Sequence, residues 1–340
     1  MTGNHRSVLA LVGVGLLLTG CATATDSRAS TRRPAYNWSY VGTPIPPFWW
    51  TEVVRVPDAR AKAGRGAGTT IAVIGTGVLK GHEDLPSVVA GESACGSDTQ
   101  DYNGHGTQLA GIVAGREPGP AAGPPPPPST SGVAPDAAII PIKVDCGVVS
   151  ADALMKGVTA AVARKPDVVL IAIGGYPSPP PDVFADLDTL ITTHREILFV
   201  IASTWDGTFY AFPEWSTRDN ALLVASMTWD ADPNDRARVR KDVEIPYSAR
   251  RGILWAPGRG VATAGIETDP GSTTHSQFLM HGTSPAAAIV AGCAALVKSK
   301  NKNMDGAQLK TRLVGTAEAQ PNLGGPAGTD KRLNCAAAIP

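Results

Sequence analysis

The chain lacks any excess of charge. Thirty Lys and Arg balance thirty Asp and Glu across 340 residues. No bulk basic face is available for nucleic acid, so nucleic acid is not expected among its partners. Aromatic residues make up only 6%, so the core must be built from Ala, Val, Ile and Leu. No Cys-x-x-Cys or His-x-x-x-His pair is present, so neither a metal site nor a cofactor is expected. Charged residues are sparse at 18% against 43% hydrophobic, a balance of folded globular chains rather than disordered ones. The length suits one large domain or two small ones and is ample for a sizeable core. What the chain has in quantity is Gly (37) and Pro (29), which predict many tight turns and long loops.

The N-terminus reads as an export signal. His5 and Arg6 precede the apolar run Val8 to Leu18, whose 11 residues are too few to span a bilayer. Leu18-Thr19-Gly20-Cys21 follows and resembles a bacterial lipobox, in which the signal is cut before the Cys and the thiol is acylated. The expected organisation is therefore a signal peptide over 1–20, lipidation at Cys21, a flexible tether over 21–48 rich in Ser, Thr, Arg and Pro, and a folded domain over 49–340. A lipid anchor holds the protein on a membrane face outside the cytosol, periplasmic or cell-surface. Ala22 in place of an Asp after the lipidated Cys favours the outer membrane where the source has one.

Export also changes the cysteine arithmetic. Setting Cys21 aside leaves Cys95, Cys146, Cys293 and Cys335, and four Cys allow three pairings. Cys95–Cys146 with Cys293–Cys335 is the expected set. The alternative for Cys293, inside an Ala/Val-rich helix, is a small buried apolar residue.

Continuous apolar runs recur along the chain at Thr69–Gly77, Ala137–Val144, Val168–Gly175, Ile197–Ser203 and Ala221–Met227. Strands buried on both faces have this pattern, as in parallel sheets covered by helices on each side. Helical segments are predicted between and after them at about 105–116, 151–164, 182–194, 284–299 and 306–316. The order predicts an α/β fold: a doubly wound, mainly parallel sheet with helices on both faces, three layers deep. Ligand chemistry then belongs at the carboxyl ends of the strands. The Gly/Pro stretch 117–130, with five prolines at 124–128, predicts a surface loop in polyproline form.

Several motifs stand in a telling order: IAVIGTGV (71–78) with His82 and Leu85, NGHGTQLAG (103–111), GVAPDA (132–137), PIKV (141–144), DVVLIAIGG (167–175), YSARRG (247–252), APG (256–258), GTSPAAAIVAG (282–292) and RLNCAAA (332–338). In order and spacing the set resembles the subtilisin-like serine peptidases, the subtilases, over about residues 50–340. The resemblance implies a subtilisin-like fold and a catalytic pair of Ser284 and His105. It also implies a substrate-binding segment at Ala172, Ile173 and Gly174, and a polypeptide ligand. The chemistry of the residues agrees. Ser284 opens an Ala-rich helix, where free N–H groups and a positive dipole end support a nucleophile and a developing oxyanion. Pro285 is expected at the first helical position, where its missing N–H costs nothing. His105, between Gly104 and Gly106 at another helix start, can serve as general base.

Two positions depart from the family pattern. Subtilases close the first strand with Asp-(Ser/Thr)-Gly, and that Asp orients the His. Here the same place reads Gly75-Thr76-Gly77, and glycine has no acceptor. Subtilases also carry an oxyanion Asn after the strand that here begins at Ile197. This chain has Trp205 there, whose large ring would fill the oxyanion hole. Removing the triad Asp of subtilisin costs about 3 × 10⁴ in turnover, and removing its oxyanion Asn about 10²–10³. Glu83, Asp84, Asp98, Asp101 and Asp206 are the carboxylates near enough in sequence to substitute, and each is expected as a solvated loop charge. Ala172-Ile173-Gly174 replaces the usual Ser-Leu-Gly, although main-chain pairing of an extended peptide survives that change. Only 28 residues separate Cys21 from Trp50, too few for a folding and inhibitory prosegment. The expected function is a pseudopeptidase on a membrane surface that binds a peptide or partner. The alternative is a slow serine endopeptidase running on a Ser284–His105 dyad.

Overall fold

The computed structural model describes residues 39–40, 43–44, 49–116, 131–173, 181–203, 213–229, 239–241, 252–266, 275–320, 323 and 329–340. Cys21, the prolines at 124–128, Gly174, Trp205 and Asp206 lie outside the described residues. Residues 37–340 form one compact unit.

The elements follow one another as β1 (Ser39–Tyr40), β2 (Thr43–Pro44), α1 (Trp49–Val53), α2 (Val56–Ala63), β3 (Thr70–Gly75), β4 (Glu92–Ser93), α3 (His105–Ala114), β5 (Ala138–Lys143), α4 (Ala151–Ala163) and β6 (Val168–Ile171). Then come α5 (Pro181–Thr193), β7 (Leu198–Ala202), β8 (Ala221–Trp229), β9 (Val239–Lys241), β10 (Leu254–Pro257), β11 (Val261–Ile266) and β12 (His275–Met280). The chain closes with α6 (Thr283–Lys300), α7 (Gly306–Gly315), β13 (Glu318–Ala319), β14 (Lys331–Arg332) and α8 (Cys335–Ala338). The main sheet has the order β13-β14-β10-β8-β7-β6-β3-β5-β4, with β9 paired to β8. Its pairings are parallel except β13–β14 and β8–β9.

The apolar runs owe their continuity to two cores. Along β3, Ile71 and Val73 enter one core and Ala72 and Ile74 the other; along β6, Val168 and Leu170 divide in the same way from Val169 and Ile171. Successive strand side chains point to opposite faces, and both faces are covered, so neither parity can be polar. The first core includes Leu109 of α3, Ile289 of α6 and Leu309 of α7, and the second includes Leu154 of α4 and Ile191 of α5. Helix α6 is buried at every position from Pro285 to Val297, as a helix threading the middle of a core must be. From β3 the chain adds β4 and β5 on one side and then crosses to β6 on the other. The order therefore reverses at β3, and a crevice opens at its carboxyl end.

Both expected disulfides are present. Cys95 bonds Cys146 with Cα atoms 5.3 Å apart, and Cys293 bonds Cys335 at 5.6 Å. The second joins α6 to α8 across 42 residues of sequence. Replacing both of its cysteines by Ala is expected to lower stability by about 2–5 kcal/mol, chiefly by freeing the unfolded chain. A urea titration that finds no loss would place the stabilisation elsewhere.

Some elements escape the apolar pattern. Helices α1 and α2 cover Trp49 to Ala63, and β1–β2 lies inside the expected tether. The antiparallel pair β11–β12 is a further addition. Helix α6 begins at Thr283, one residue earlier than expected, so Pro285 is its third residue rather than its first. The consequence is unchanged, because the first four N–H groups of a helix have no intrahelical acceptor.

Candidate active site

Strand parity places the site. Position 75 follows Ile71 and Val73, so a side chain there would point to the face that carries α3 and α6. A Cβ built on Gly75 meets only the Gly106 Cα, at 3.8 Å, an ordinary contact. Gly75 is therefore not required by the backbone, and its position has room for a side chain aimed at the start of α3. Gly106 differs, since a Cβ there would collide with the Gly77 carbonyl oxygen. That close approach seats the first turn of α3 directly on the end of β3.

The start of α3 is fully tied down. The His105 N–H donates to Asn103 Oδ1 (3.3 Å) and the Gly106 N–H to Thr76 Oγ1 (2.8 Å). Asp101 takes the rest. Its Oδ1 accepts the N–H groups of Asn103 and Gly104, both at 2.9 Å, and its Oδ2 accepts the N–H (2.9 Å) and hydroxyl (2.7 Å) of Thr107. Asp101 is 1% exposed. The expectation of a solvated loop charge is wrong for this residue. Three backbone donors and a hydroxyl compensate the burial of its carboxylate. Glu83 and the Asp98 side chain do lie at the surface, Asp98 accepting from Gln100 N–H and Tyr102 hydroxyl. His82 is buried, with Nε2 donating to the Gly265 carbonyl (3.1 Å) and Nδ1 accepting the Asp84 N–H (3.1 Å).

The start of α6 is the opposite case. Gly282, the residue before it, has φ 124° and no side chain with which to cap the helix. Its N–H donates to the Gly258 carbonyl (2.7 Å) just beyond β10. This fixes the turn at the same carboxyl edge of the sheet where β3 ends. Among the described residues no acceptor meets the N–H groups of Thr283 and Ser284. One helix start is thus saturated and holds a His rigidly, while the other keeps donors for an incoming anion. Ser284 is half-buried, as is His105.

The His105 ring makes no hydrogen bond among the described residues. Burial pushes its pKa below the ordinary 6.5, and the carboxylates of Asp101 and Asp145 pull it part of the way back up. The ring is therefore neutral at pH 7, as a general base must be. Ala172 and Ile173 lie just past the end of β6; the Ala172 side chain is buried in the first core and Ile173 packs on the second. The Ala172 side chain is therefore closed to a ligand, whereas the half-buried Ile173 keeps part of its surface. Gly174 and Trp205 lie outside the described residues. Among the described residues no cluster of His, Cys, Asp and Glu could hold a metal, and no helix is long and apolar enough to cross a membrane.

Comparison with known proteins bears on the family and the fold. The profile described as the subtilase family matches residues 66–334. Subtilisin Savinase of Lederbergia lenta is 32% identical over 277 residues, covering 79% of this chain and 90% of that protein. The alkaline protease of Alkalihalobacillus alcalophilus is equally similar, but the chain spans only 64% of its length. Mycosin-4 of Mycobacterium tuberculosis is 29% identical, with 76% of this chain and 61% of that one covered. Among solved structures, the MycP3 protease from the type VII (ESX-3) secretion system superposes with a TM-score of 0.64 at 24% identity, covering 87% of this chain and 89% of that one. That last likeness speaks to the fold alone.

Proposed function

We propose that this chain, which belongs to the subtilase family, is a lipid-anchored peptide-binding homologue whose serine peptidase chemistry is strongly reduced. The observation that carries the reading is the end of β3. Gly75 leaves an open direction toward α3 where the family places the acid that orients the His, and the His105 ring has no hydrogen-bonded carboxylate among the described residues. Without one bonded to the ring, the tautomer that exposes Nε2 to the Ser284 hydroxyl is weakly held, and the imidazolium formed when the proton arrives is weakly stabilised. Trp205 at the oxyanion position supports the same reading. So do Cys21 and the run before it for the anchor, on the periplasmic or cell-surface side of a bacterial membrane.

A second reading is a slow endopeptidase acting through a Ser284–His105 dyad. It is favoured by the uncapped start of α6 and by a neutral His105. One experiment separates the two. The purified protein is incubated with a fluorophosphonate probe, with Ser284→Ala as the control. The peptide-binding reading expects labelling near the control level while peptide binding remains measurable. Labelling at Ser284 as fast as in an intact family member would sink it.

The pH dependence of residual labelling has a definite sign. Because folding lowers the His105 pKa, the ring stays unprotonated as pH falls past 6.5, and the acid limb of labelling lies below that value. The unfolded chain takes up its proton near 6.5 and the folded one does not, so this residue's contribution to stability declines as pH drops below 6.5.

A further inference from the structure

Strand β5 lies beside β3 in parallel register, with Lys143 opposite Gly75. Both the Val144 and Asp145 N–H groups donate to the Gly75 carbonyl, at 2.9 and 3.3 Å. Residues 140, 142 and 144 face the second core, and Ile139 faces the first. By the same alternation Lys143 belongs to the face of α3; Asp145 lies beyond the strand end, tied by its own N–H to the Gly75 carbonyl. Lys143 bears this out: its Nζ donates to the Gln100 carbonyl at 2.7 Å and sits 4.7 Å from the centre of the Tyr102 ring, in the loop that leads into α3.

A cavity of about 430 Å³ opens at this point. Its lining includes Thr76, Asn103, Lys143 and Asp145. Thr76 and Asn103 are the two residues that bind the first N–H groups of α3, so Asp145 shares a cavity wall with the seat of His105. Elimination points the same way. Two carboxylates act on His105 through space, Asp101 and Asp145. Both oxygens of Asp101 are consumed by four donors, whereas Asp145 uses only Oδ1, for the Gly147 N–H at 2.9 Å. Its Oδ2 has no hydrogen bond among the described residues. Among the described residues, the other elements packed on α3 bring nothing comparable: β11 reads Val261 to Ile266 without a charge, and the first turn of α6 has none. Lys143, the one cation in the cavity, is held by Gln100 and Tyr102.

We propose that Asp145 is a positioning residue for His105, a carboxylate supplied from the neighbouring strand in place of the one that Gly75 cannot offer. Turned toward the start of α3, where Thr76 and Asn103 line the same cavity, its free oxygen favours the tautomer with the proton on Nδ1 and leaves Nε2 to accept the Ser284 proton. It also steadies the imidazolium without touching substrate. This acid is less direct than one at position 75, because it is half-exposed to water. That fits strongly reduced rather than absent chemistry, and to this extent the proposal rests on the function proposed above.

The test is the Asp145→Asn variant of the whole domain, with Asp145→Glu as the conservative partner and Asp98→Asn as a surface control. The His105 ring is titrated by NMR, a readout that needs no activity. The His105 midpoint is expected to fall in Asp145→Asn and to be largely kept in Asp145→Glu and Asp98→Asn. Fluorophosphonate labelling at Ser284 is expected to slow about tenfold, less than the roughly 10²–10⁴-fold that a positioned general base itself contributes, because Asp145 acts only through His105. In the Gly75→Asp background the same substitution should have little effect, because position 75 then does the work. An unchanged His105 midpoint in folded Asp145→Asn overturns the proposal, as does an equal loss of labelling in both backgrounds. If the natural chain proves unreactive to the probe, the titration still decides the matter.

Discussion

The Gly75→Asp, Trp205→Asn variant is expected to react with a fluorophosphonate at Ser284 about 10²- to 10⁴-fold faster than the natural chain. The range is set by what the corresponding groups are worth in subtilisin, about 3 × 10⁴ for the acid and about 10²–10³ for the oxyanion donor. The two need not multiply, since residues that act as one unit are strongly non-additive. The structure explains why so small a change can act. The Cβ direction at Gly75 is open, with only the Gly106 Cα at 3.8 Å, so the new carboxylate enters without moving β3. The start of α3 is already pinned by Asp101, Thr76 and Asn103, so His105 need not be repositioned. The Thr283 and Ser284 N–H groups still lack a partner among the described residues. Measured second-order labelling rates decide the matter. A folded double variant no faster than the natural chain would mean that Ser284 and His105 are not in register, and the reading of Gly75 as the main defect would fail.

Asp101→Ala is expected to cost about 3–5 kcal/mol of stability and to abolish what reactivity Ser284 has. The carboxylate is buried and serves four donors. Removing it leaves three N–H groups and the Thr107 hydroxyl short of an acceptor, all but the Asn103 N–H in a buried place. An uncompensated buried donor costs about 1–3 kcal/mol, and relaxation of the loop recovers part of the total. Asp101→Asn separates charge from geometry. It keeps one acceptor oxygen but turns an NH2 group toward at least one donor, so an intermediate loss is expected. Urea unfolding of the three proteins provides the test, and a loss below about 1 kcal/mol for Asp101→Ala would show that the loop has other supports.

The sequence by itself determined the layered architecture. Ile71 to Ile74 and Val168 to Ile171 are apolar at every position, and only a sheet covered on both faces needs that. It also determined which positions lie at helix starts, because Gly104 and Gly282 each precede an Ala- and Val-rich run. It determined the family, through the order of its motifs. For the four cysteines the sequence left three pairings open, and the structure holds the expected one, Cys95–Cys146 with Cys293–Cys335. The tertiary structure decided the rest. Strand β10 has four residues and β11 is largely Ala, Thr and Gly, so neither carries a periodic signal; each exists because a neighbouring strand completes its hydrogen bonds. Nothing local distinguishes Asp101, a buried clamp, from Asp98, a surface charge three residues earlier. The difference is the direction in which the loop folds back on Thr107. Asp145 is the clearest case. It stands 40 residues from His105 in sequence, and only the side-by-side register of β3 and β5 brings its free oxygen to the cavity at the start of α3.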